Sequence, residues 1–472
     1  MFIRRKNRNF EHKKIKKSDM TLPEEFLQNM KSLIPQEEYD SFIKSLSEEE
    51  QTTSIRVNRT KISLDDIKKH FGETTEVGWC EEGLYLSYRP QFTLDPLLHS
   101  GAYYVQEASS MFITKVIRTH ISSAVNCLDL CAAPGGKSTA AISVLPEGSQ
   151  IVSNEIDRRR ARILAENITK WGYPNVTVTC NAPKDFKNLR HTFDLIITDV
   201  PCSGEGMFRK DEGAVTDWSM SKVKNCAELQ HQIIDDIWNC LKPGGLLIYS
   251  TCTFNADEDE KMVEYICDEL GGTALEVPTE ESWNIHKPLT GNNPCYRFMP
   301  HFTKGEGLFM AAIRKDEGTV QPAKLRKPLK NSFKVAKDIS NWVNIDVILE
   351  QNADGVISAI PQSHKPLHDL IVENGLYVLQ SGIELGTIKG KDIIPSHSLA
   401  LSSVLSNDVF PRVSVDLQTA QNYLRRLVVD LQSEVPNGYV IIEYLQKPLG
   451  FVKNLGNRCN NLYPQEWRIR NL

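Results

Sequence analysis

Between about Val125 and Lys315, short apolar runs alternate with segments of helical periodicity, and few folds accept that alternation. The runs VNCLDL, QIVSNEI, NVTVTC, FDLIITDV and GLLIYSTC are rich in β-branched residues and short enough to be buried strands. Arg158 to Trp171, Ser221 to Leu241 and Ala256 to Leu270 carry the helical pattern between them. Together they predict a Rossmann-like, doubly wound parallel α/β sheet with right-handed crossovers. GLFMAAIRK, from Gly307 to Lys315, is expected to be a late edge strand closing that sheet.

A chain of 472 residues exceeds one ordinary core, so flanking units are expected. The first seventeen residues carry Arg4, Arg5, Lys6, Arg8, Lys13, Lys14, Lys16 and Lys17 against Glu11, which makes 1–20 a basic disordered arm. Such an arm either holds phosphates or is a solvated tail. Leu22 to Ser47 reads as helical, and Thr53 to Pro96 as short strands with turns, so 21–110 reads as an α+β unit. The alternating sheet occupies 111–316, and a Lys- and Pro-rich linker follows over 317–337. Residues 338–400 and 401–472 read as two further α+β units, the second with a helix over Asp416 to Leu431 and strands in GYVIIEY and KPLGFVKN. No apolar run follows the basic arm, as a secretory signal would need, and none is long enough to cross a bilayer. The eleven cysteines include no Cys-x-x-Cys pair, which points to a reducing cytoplasm and to no metal module.

The turn LDLCAAPGGKST places Pro134, Gly135, Gly136 and Lys137 between the first strand and its helix. Adjacent glycines admit a close ligand, and a helix N-terminus offers free N–H groups. The spacing is neither Gly-x-Gly-x-x-Gly nor a Walker loop. Taken alone, the Gly-Gly pair reads equally as a tight turn. Glu155 ends the second strand about twenty residues on, where an acid meets ribose hydroxyls. The two features together indicate an adenosine-containing cofactor with little phosphate.

Cys202 and Cys252 stand at the carboxyl ends of the fourth and fifth strands, in TDVPCSGEG and YSTCTF. Ligands bind above that edge, so the topology brings both thiols, Asp199 and the glycine turn to one crevice. One cysteine there is ordinarily core filler; two, beside Pro201, Thr251 and Thr253, point to chemistry. A thiolate added to carbon 6 of cytosine makes carbon 5 nucleophilic, and a second group is then useful for releasing the product. A redox pair is the competing reading.

AAPGGKST, DVPCSGEGMFRK and STCTFNADEDE resemble the cofactor motif and the two cysteine motifs of the NOL–NOP–SUN RNA cytosine-5 methyltransferases. YVQEASSM, GEGLFMAAIRK and the terminal KPLGFVKN and NLYPQEWRI extend the likeness from about Leu22 to Leu472. The resemblance implies a class I methyltransferase fold, an N-terminal RNA-binding unit and a PUA-like domain over 401–472. It implies S-adenosyl-L-methionine as cofactor and RNA as partner, specifically 16S ribosomal RNA or the small ribosomal subunit; the sequence does not set the oligomeric state, and a monomer is favoured. Cys252 would be the nucleophile and Cys202 the group that releases product, with Asp199 on the cytosine edge and Lys137 between cofactor and base. Cys131, Ala132, Ala133, Pro134, Gly135, Gly136, Lys137, Glu155, Asn181 and Asp199 would bind the cofactor. The chain departs from the family at Val200, where alanine is common, and at TCNAPKDF, which lacks the usual acid near the adenine. Asn181 would hydrogen-bond there instead, or Asp185 would reach in. Lys447, Lys453 and Arg458 are candidate RNA contacts, or simply solvated loop charges. The same chemistry on transfer RNA is one alternative, and a non-catalytic RNA-binding assembly factor is another, although this chain keeps both cysteines. DNA methylation fits less well, because those enzymes take their thiolate from a Pro-Cys motif after strand four.

Overall fold

The apolar runs of the middle third pair into one twisted sheet, as their lack of a polar face requires. A computed structural model describes residues 21–47, 52–321, 323, 337–431 and 434–470. The basic arm and most of the expected linker lie outside those residues. Five strands form the parallel part: β1 (Asn126–Asp129), β2 (Gln150–Asn154), β3 (Val176–Thr179), β4 (Phe193–Asp199) and β5 (Leu241–Thr251). β6 (Gly272–Leu275), β7 (Tyr296–Phe298), β8 (Leu308–Lys315) and β9 (Val378–Ser381) complete it, in the order β6-β8-β5-β4-β1-β2-β3-β9 with β7 also on β8. This is the doubly wound sheet expected from the alternation. Helices α1 (Gly136–Val144), α2 (Arg158–Trp171), α3 (Met220–Trp238) and α4 (Glu260–Asp268) belong to its crossovers.

Five sequence expectations need correction. β8 is not an edge strand, because it lies between β5 and the shorter β6 and β7. Its residues Leu308 to Ile313 are all buried, and a run apolar on both faces belongs inside a sheet. The far edge is instead closed by β9, which comes from the C-terminal region and runs antiparallel to β3. The helix expected over Leu22 to Ser47 is two helices, Glu24–Leu33 and Gln36–Ser47. Pro35 disfavours helical geometry at the residue before it, and Ile34 is extended, with φ −88 and ψ 137. The helix expected over Asp416 to Leu431 stops at Leu424, where the terminal segment crosses it and Ile469 donates its N–H to the Leu424 carbonyl. The helix expected from Ala256 starts only at Glu260, because Asn255, Glu258 and Asp259 are committed to side-chain hydrogen bonds. α3 ends at Trp238, and the chain is already in β5 at Leu241.

The N-terminal unit is a four-stranded antiparallel sheet (53–57, 74–77, 80–86 and 103–105) with the helix Leu64–Phe71. It docks through Arg56, a fully buried guanidinium that donates to the Thr139 hydroxyl (2.6 Å) and carbonyl (3.2 Å) on α1. The same group lies 4.5 Å from the centre of the Trp171 ring. C-terminal to the linker, two four-stranded sheets share a core that includes Ile357, Ile383, Leu399, Ile441 and Phe451. The helix His397–Leu401 spans the boundary expected between 400 and 401.

Candidate active site

The site lies along the carboxyl edge of β1, β2, β4 and β5. Hydrogen bonding first fixes the ends of those strands. Asn154, at the end of β2, donates to the carbonyls of Leu130 (3.1 Å) and Asn181 (2.9 Å), and its own oxygen accepts from Thr179 and from the Asn181 N–H. Glu155 therefore emerges from a rigid strand end. Its carboxylate accepts from the Asp157 N–H at 3.0 Å and pairs with Arg160 at 3.2 Å. Arg160 also donates to the Ala133 carbonyl, which ties the acid to the glycine turn.

That turn runs from β1 into α1. Gly135 adopts φ +113, a left-handed conformation that L side chains seldom take, and a Cβ there would lie 3.2 Å from the Leu164 side chain. Asn167 donates to the Pro134 carbonyl, so α2 holds the turn from outside. Asp129 ends β1 wholly buried and accepts from Ser138 at 2.6 Å. Burial pushes its carboxyl up to about 7, against the pull of Ser138 and Lys137.

β4 and β5 are adjacent and parallel, with Asp199 beside Ser250. The Ser250 hydroxyl donates to Asp199 at 2.9 Å, and Lys137 pairs with the same oxygen at 2.9 Å. Burial opposes the charge on Lys137, but Asp199, then Asp129 and Cys252, hold its pKa above the ordinary lysine value. The Cys202 and Cys252 sulfurs are 3.2 Å apart. The Cys202 thiol is pushed well above its ordinary pKa, first by its hydrogen bond with Cys252 and then by burial.

Two buried carboxylates clip the cysteine loops together. Glu258 accepts from the Ser203 N–H (2.9 Å), the Gln230 amide (2.8 Å) and the Asn255 amide (2.8 Å). Glu205 accepts from the N–H groups of Phe254 (2.7 Å) and Asn255 (3.0 Å) and from the Trp218 indole (3.0 Å). The Gly206 N–H closes the seam on the Cys252 carbonyl at 2.9 Å.

A cleft of about 670 Å³ opens over these groups, with Cys131, Glu155, Asp199, Cys202 and Cys252 among its lining residues. Ile156, Pro183, Leu229 and Ile233 supply an apolar wall. Neither they nor Glu205, Glu258 and Arg56 stand out in the sequence as site residues. Ile156 carries the one visible signal, an apolar residue directly after the acidic strand end. The remaining glycine-turn residues, Ala132 to Gly136, are not among the lining residues, and Lys137 is joined to the cleft by its ion pair with Asp199. Asn181, expected near the adenine, is outside the cleft lining and is bonded toward β9: its amide oxygen accepts from the Tyr377 N–H at 2.8 Å and its amide nitrogen donates to the Tyr377 carbonyl. Asp185 is likewise occupied, capping its own turn at the Ala182 N–H. Lys453 pairs with Asp392 at 3.9 Å and sits over the Tyr439 ring. Lys447 begins the strand Lys447–Asn454, and Arg458 lies in the turn after it.

Residues 120–314 match the family described as 16S rRNA methyltransferase RsmB/F. Residues 22–108 match the N-terminal domain of 16S rRNA methyltransferase RsmF, and 410–469 match the methyltransferase RsmF PUA domain. The ribosomal RNA small subunit methyltransferase F of Cronobacter sakazakii is 31% identical over 470 residues, covering 94% of this chain and 96% of the relative. The chain belongs to the ribosomal RNA small subunit methyltransferase F family. The methyltransferase F of Erwinia tasmaniensis is 28% identical over 95% of this chain and 97% of its own length. Among solved structures, NSun6 from Pyrococcus horikoshii with SFG superposes with a TM-score of 0.54 at 21% identity, covering 63% of this chain and 99% of that one. A methyltransferase homolog protein from Pyrococcus horikoshii superposes with a TM-score of 0.51 at 25% identity, covering 62% of this chain and all of that one. These likenesses place the methyltransferase F family on a Rossmann-like methyltransferase fold with a PUA domain at the C-terminus.

Proposed function

We propose that the chain methylates carbon 5 of a cytosine in 16S ribosomal RNA, with Cys252 as covalent nucleophile and Cys202 as the group that releases the product. The carrying observation is the pair of sulfurs 3.2 Å apart beside the Lys137–Asp199 ion pair, on neighbouring strand ends. The methyltransferase F relatives, named for small-subunit ribosomal RNA, support that substrate over transfer RNA.

The cleft suits S-adenosylmethionine. Its lining includes Glu155, Asp199, Asp211 and Asp217 against Arg160 and Lys222, which favours a cationic, phosphate-free ligand. Glu155 would take the ribose hydroxyls, Ile156 and Leu229 the adenine faces, and the turn around Gly135 the amino-acid end. When bound, the cofactor supplies an electrophilic methyl group.

The chain's own groups do the rest. The Cys252 sulfur forms a bond to carbon 6, and the ring's electron pair moves to carbon 5, where it takes the methyl. Asp199, oriented by Ser250 and Lys137, accepts hydrogen bonds from the cytosine edge. Cys202, its own proton given up to solvent, takes the carbon 5 proton; the C–H electron pair restores the 5,6 double bond, and the carbon 6–sulfur bond breaks with its electrons returning to Cys252. The Cys202 sulfur is placed for this, 3.2 Å from that of Cys252.

The test is Cys202→Ala expressed in bacteria and run on a denaturing gel. The expected result is a slow band that collapses with ribonuclease and is lost when Cys252→Ala is added; sequencing the trapped RNA names the substrate. A folded Cys202→Ala protein that binds S-adenosylmethionine, shows no such band and turns over like wild type would overturn the assigned roles.

A further inference from the structure

A second cleft, of about 740 Å³, lies between the N-terminal unit and the loop before β8. Its lining includes Arg89, Arg209 and Lys304 and no acidic residue, the reverse of the acid-rich cofactor cleft. Two carboxylates lie behind the wall and both are engaged: Glu306 pairs with Arg209 at 3.5 Å and Lys210 at 4.0 Å, and Glu107 accepts from the Ser109, Ser110 and Glu306 N–H groups. Arg89 and Lys304 are exposed residues whose charged groups lie over the Phe92 ring (5.7 Å) and the Tyr85 ring (4.5 Å), and Tyr88 beside Arg89 is 53% exposed. An exposed aromatic ring beside cations is the combination on which a nucleic-acid base can stack.

The cleft also adjoins the chemistry. The segment from Cys202 to Lys210 separates the two spaces: Met207 lines the cofactor cleft and Arg209 lines the second one. Arg209 donates to the Gly305 carbonyl at 3.1 Å, and Gly206 bonds the Cys252 carbonyl. Glycine is required along this seam, since a Cβ on Gly305 would come within 2.3 Å of Ser109 and one on Gly307 within 2.6 Å of the Phe254 ring. The seam therefore connects the Cys252 loop, through Gly206 and Arg209, to the Gly305 loop that lines the second cleft with Tyr88.

We propose that this second cleft is a groove for the single-stranded RNA next to the target cytosine, with Tyr88 stacking on a base and Arg89 and Lys304 holding phosphates. It rests on the reading of the chain as an RNA methyltransferase. A base presented to the cofactor cleft must leave its stack, so the neighbouring nucleotides are unpaired where they cross the partition. Positive charge tracks the backbone and an aromatic ring takes a base of any sequence, which is what single-strand grooves combine.

The test measures binding of a fluorescently labelled in vitro transcript of small-subunit ribosomal RNA to the full-length protein, with methyl transfer followed in parallel. Tyr88→Ala is expected to weaken RNA binding about tenfold, with Tyr88→Phe close to wild type, because stacking survives loss of the hydroxyl. The double variant Arg89→Glu/Lys304→Glu is expected to weaken binding further and to flatten the slope of log affinity against log salt by about 1.4, for two single-strand phosphates. Both should keep wild-type S-adenosylmethionine affinity and kcat at saturating RNA. Wild-type RNA affinity in both variants would overturn the groove while leaving the methyltransferase reading intact. A wild-type protein that binds the transcript but transfers no methyl group would instead remove the reading beneath it.

Discussion

Glu258 is expected to set how tightly the two cysteine loops are joined, and its removal separates structural from chemical consequences. The side chain is fully buried and accepts from a backbone N–H and two amide groups at 2.8 to 2.9 Å. Burial raises its pKa, opposed by Ser203 and Asn255. Glu258→Ala leaves the Ser203 N–H without a partner and takes one acceptor from the Gln230 and Asn255 amides, which keep Pro201, Ser203, Thr253 and Glu205. With about 1–3 kcal/mol for the orphaned N–H and less for each amide, the total is about 2–5 kcal/mol. Glu258→Gln keeps one accepting oxygen but turns an NH₂ toward a donor, for about 1–3 kcal/mol. In thermal melts Glu258→Gln should therefore remain folded with a midpoint a few degrees lower, and Glu258→Ala should fall further. Because Ser203 follows Cys202 directly, loosening it should lower kcat in labelled-methyl turnover, with the KM for RNA unchanged and covalent adduct accumulating on denaturing gels. Equal melting midpoints for wild type and Glu258→Ala would refute the energetic reasoning. A lowered midpoint with unchanged kcat would reduce Glu258 to a purely structural role.

Arg56→Ala should cost about 3–5 kcal/mol, because it removes a buried guanidinium and leaves the Gln106 amide and the Thr139 groups it binds without that donor. Limited proteolysis would then cut between the N-terminal unit and α1 faster than in wild type, and unchanged protection would refute this. Gly135→Ala should weaken S-adenosylmethionine binding measured by calorimetry, since a left-handed alanine costs about 1–2 kcal/mol at the turn; unaltered affinity would count against the turn as cofactor site. His99 and His397 are buried where the N-terminal, central and C-terminal parts meet, and burial lowers their pKa values to about 4 and about 3. The unfolded chain, with histidines near 6.5, binds more protons below that pH, so their contribution is complete above 6.5 and is lost as pH falls toward 4. The loss is about 1.4 kcal/mol per pH unit for each histidine, and denaturant melts of His99→Gln/His397→Gln from pH 7 to 5 should show a flatter dependence than wild type. Parallel curves would refute it.

Local physics made much of this legible. Runs apolar on both faces announced buried parallel strands, and α2 was readable at both ends because Asp157 caps its start and Gly172 ends it in a left-handed turn. The two cysteines, Asp199, Glu155 and the glycine turn were readable because each follows directly from a strand, and a parallel sheet collects all its strand ends on one edge. What the sequence left unread depended on partners distant in the chain. Asn181 was assigned to the cofactor, yet Tyr377, 196 residues away, takes both ends of its amide. β8 was placed at the edge because no periodicity reveals that the short β6 and β7 before it pair on its outer side.

By itself, then, the sequence determined the doubly wound sheet, the gathering of two thiols at its carboxyl edge and the kind of cofactor, because hydrophobic period, turn chemistry and thiol placement act within a few residues. Only the tertiary structure decided that β9 closes the sheet, that Glu205 and Glu258 clip the cysteine loops, and that Tyr88, Arg89 and Lys304 line a cleft of their own, parted from the cofactor cleft by the segment from Cys202 to Lys210. Buried carboxylates and docked units take their meaning from groups that folding brings together, and no local pattern encodes a partner fifty or two hundred residues away.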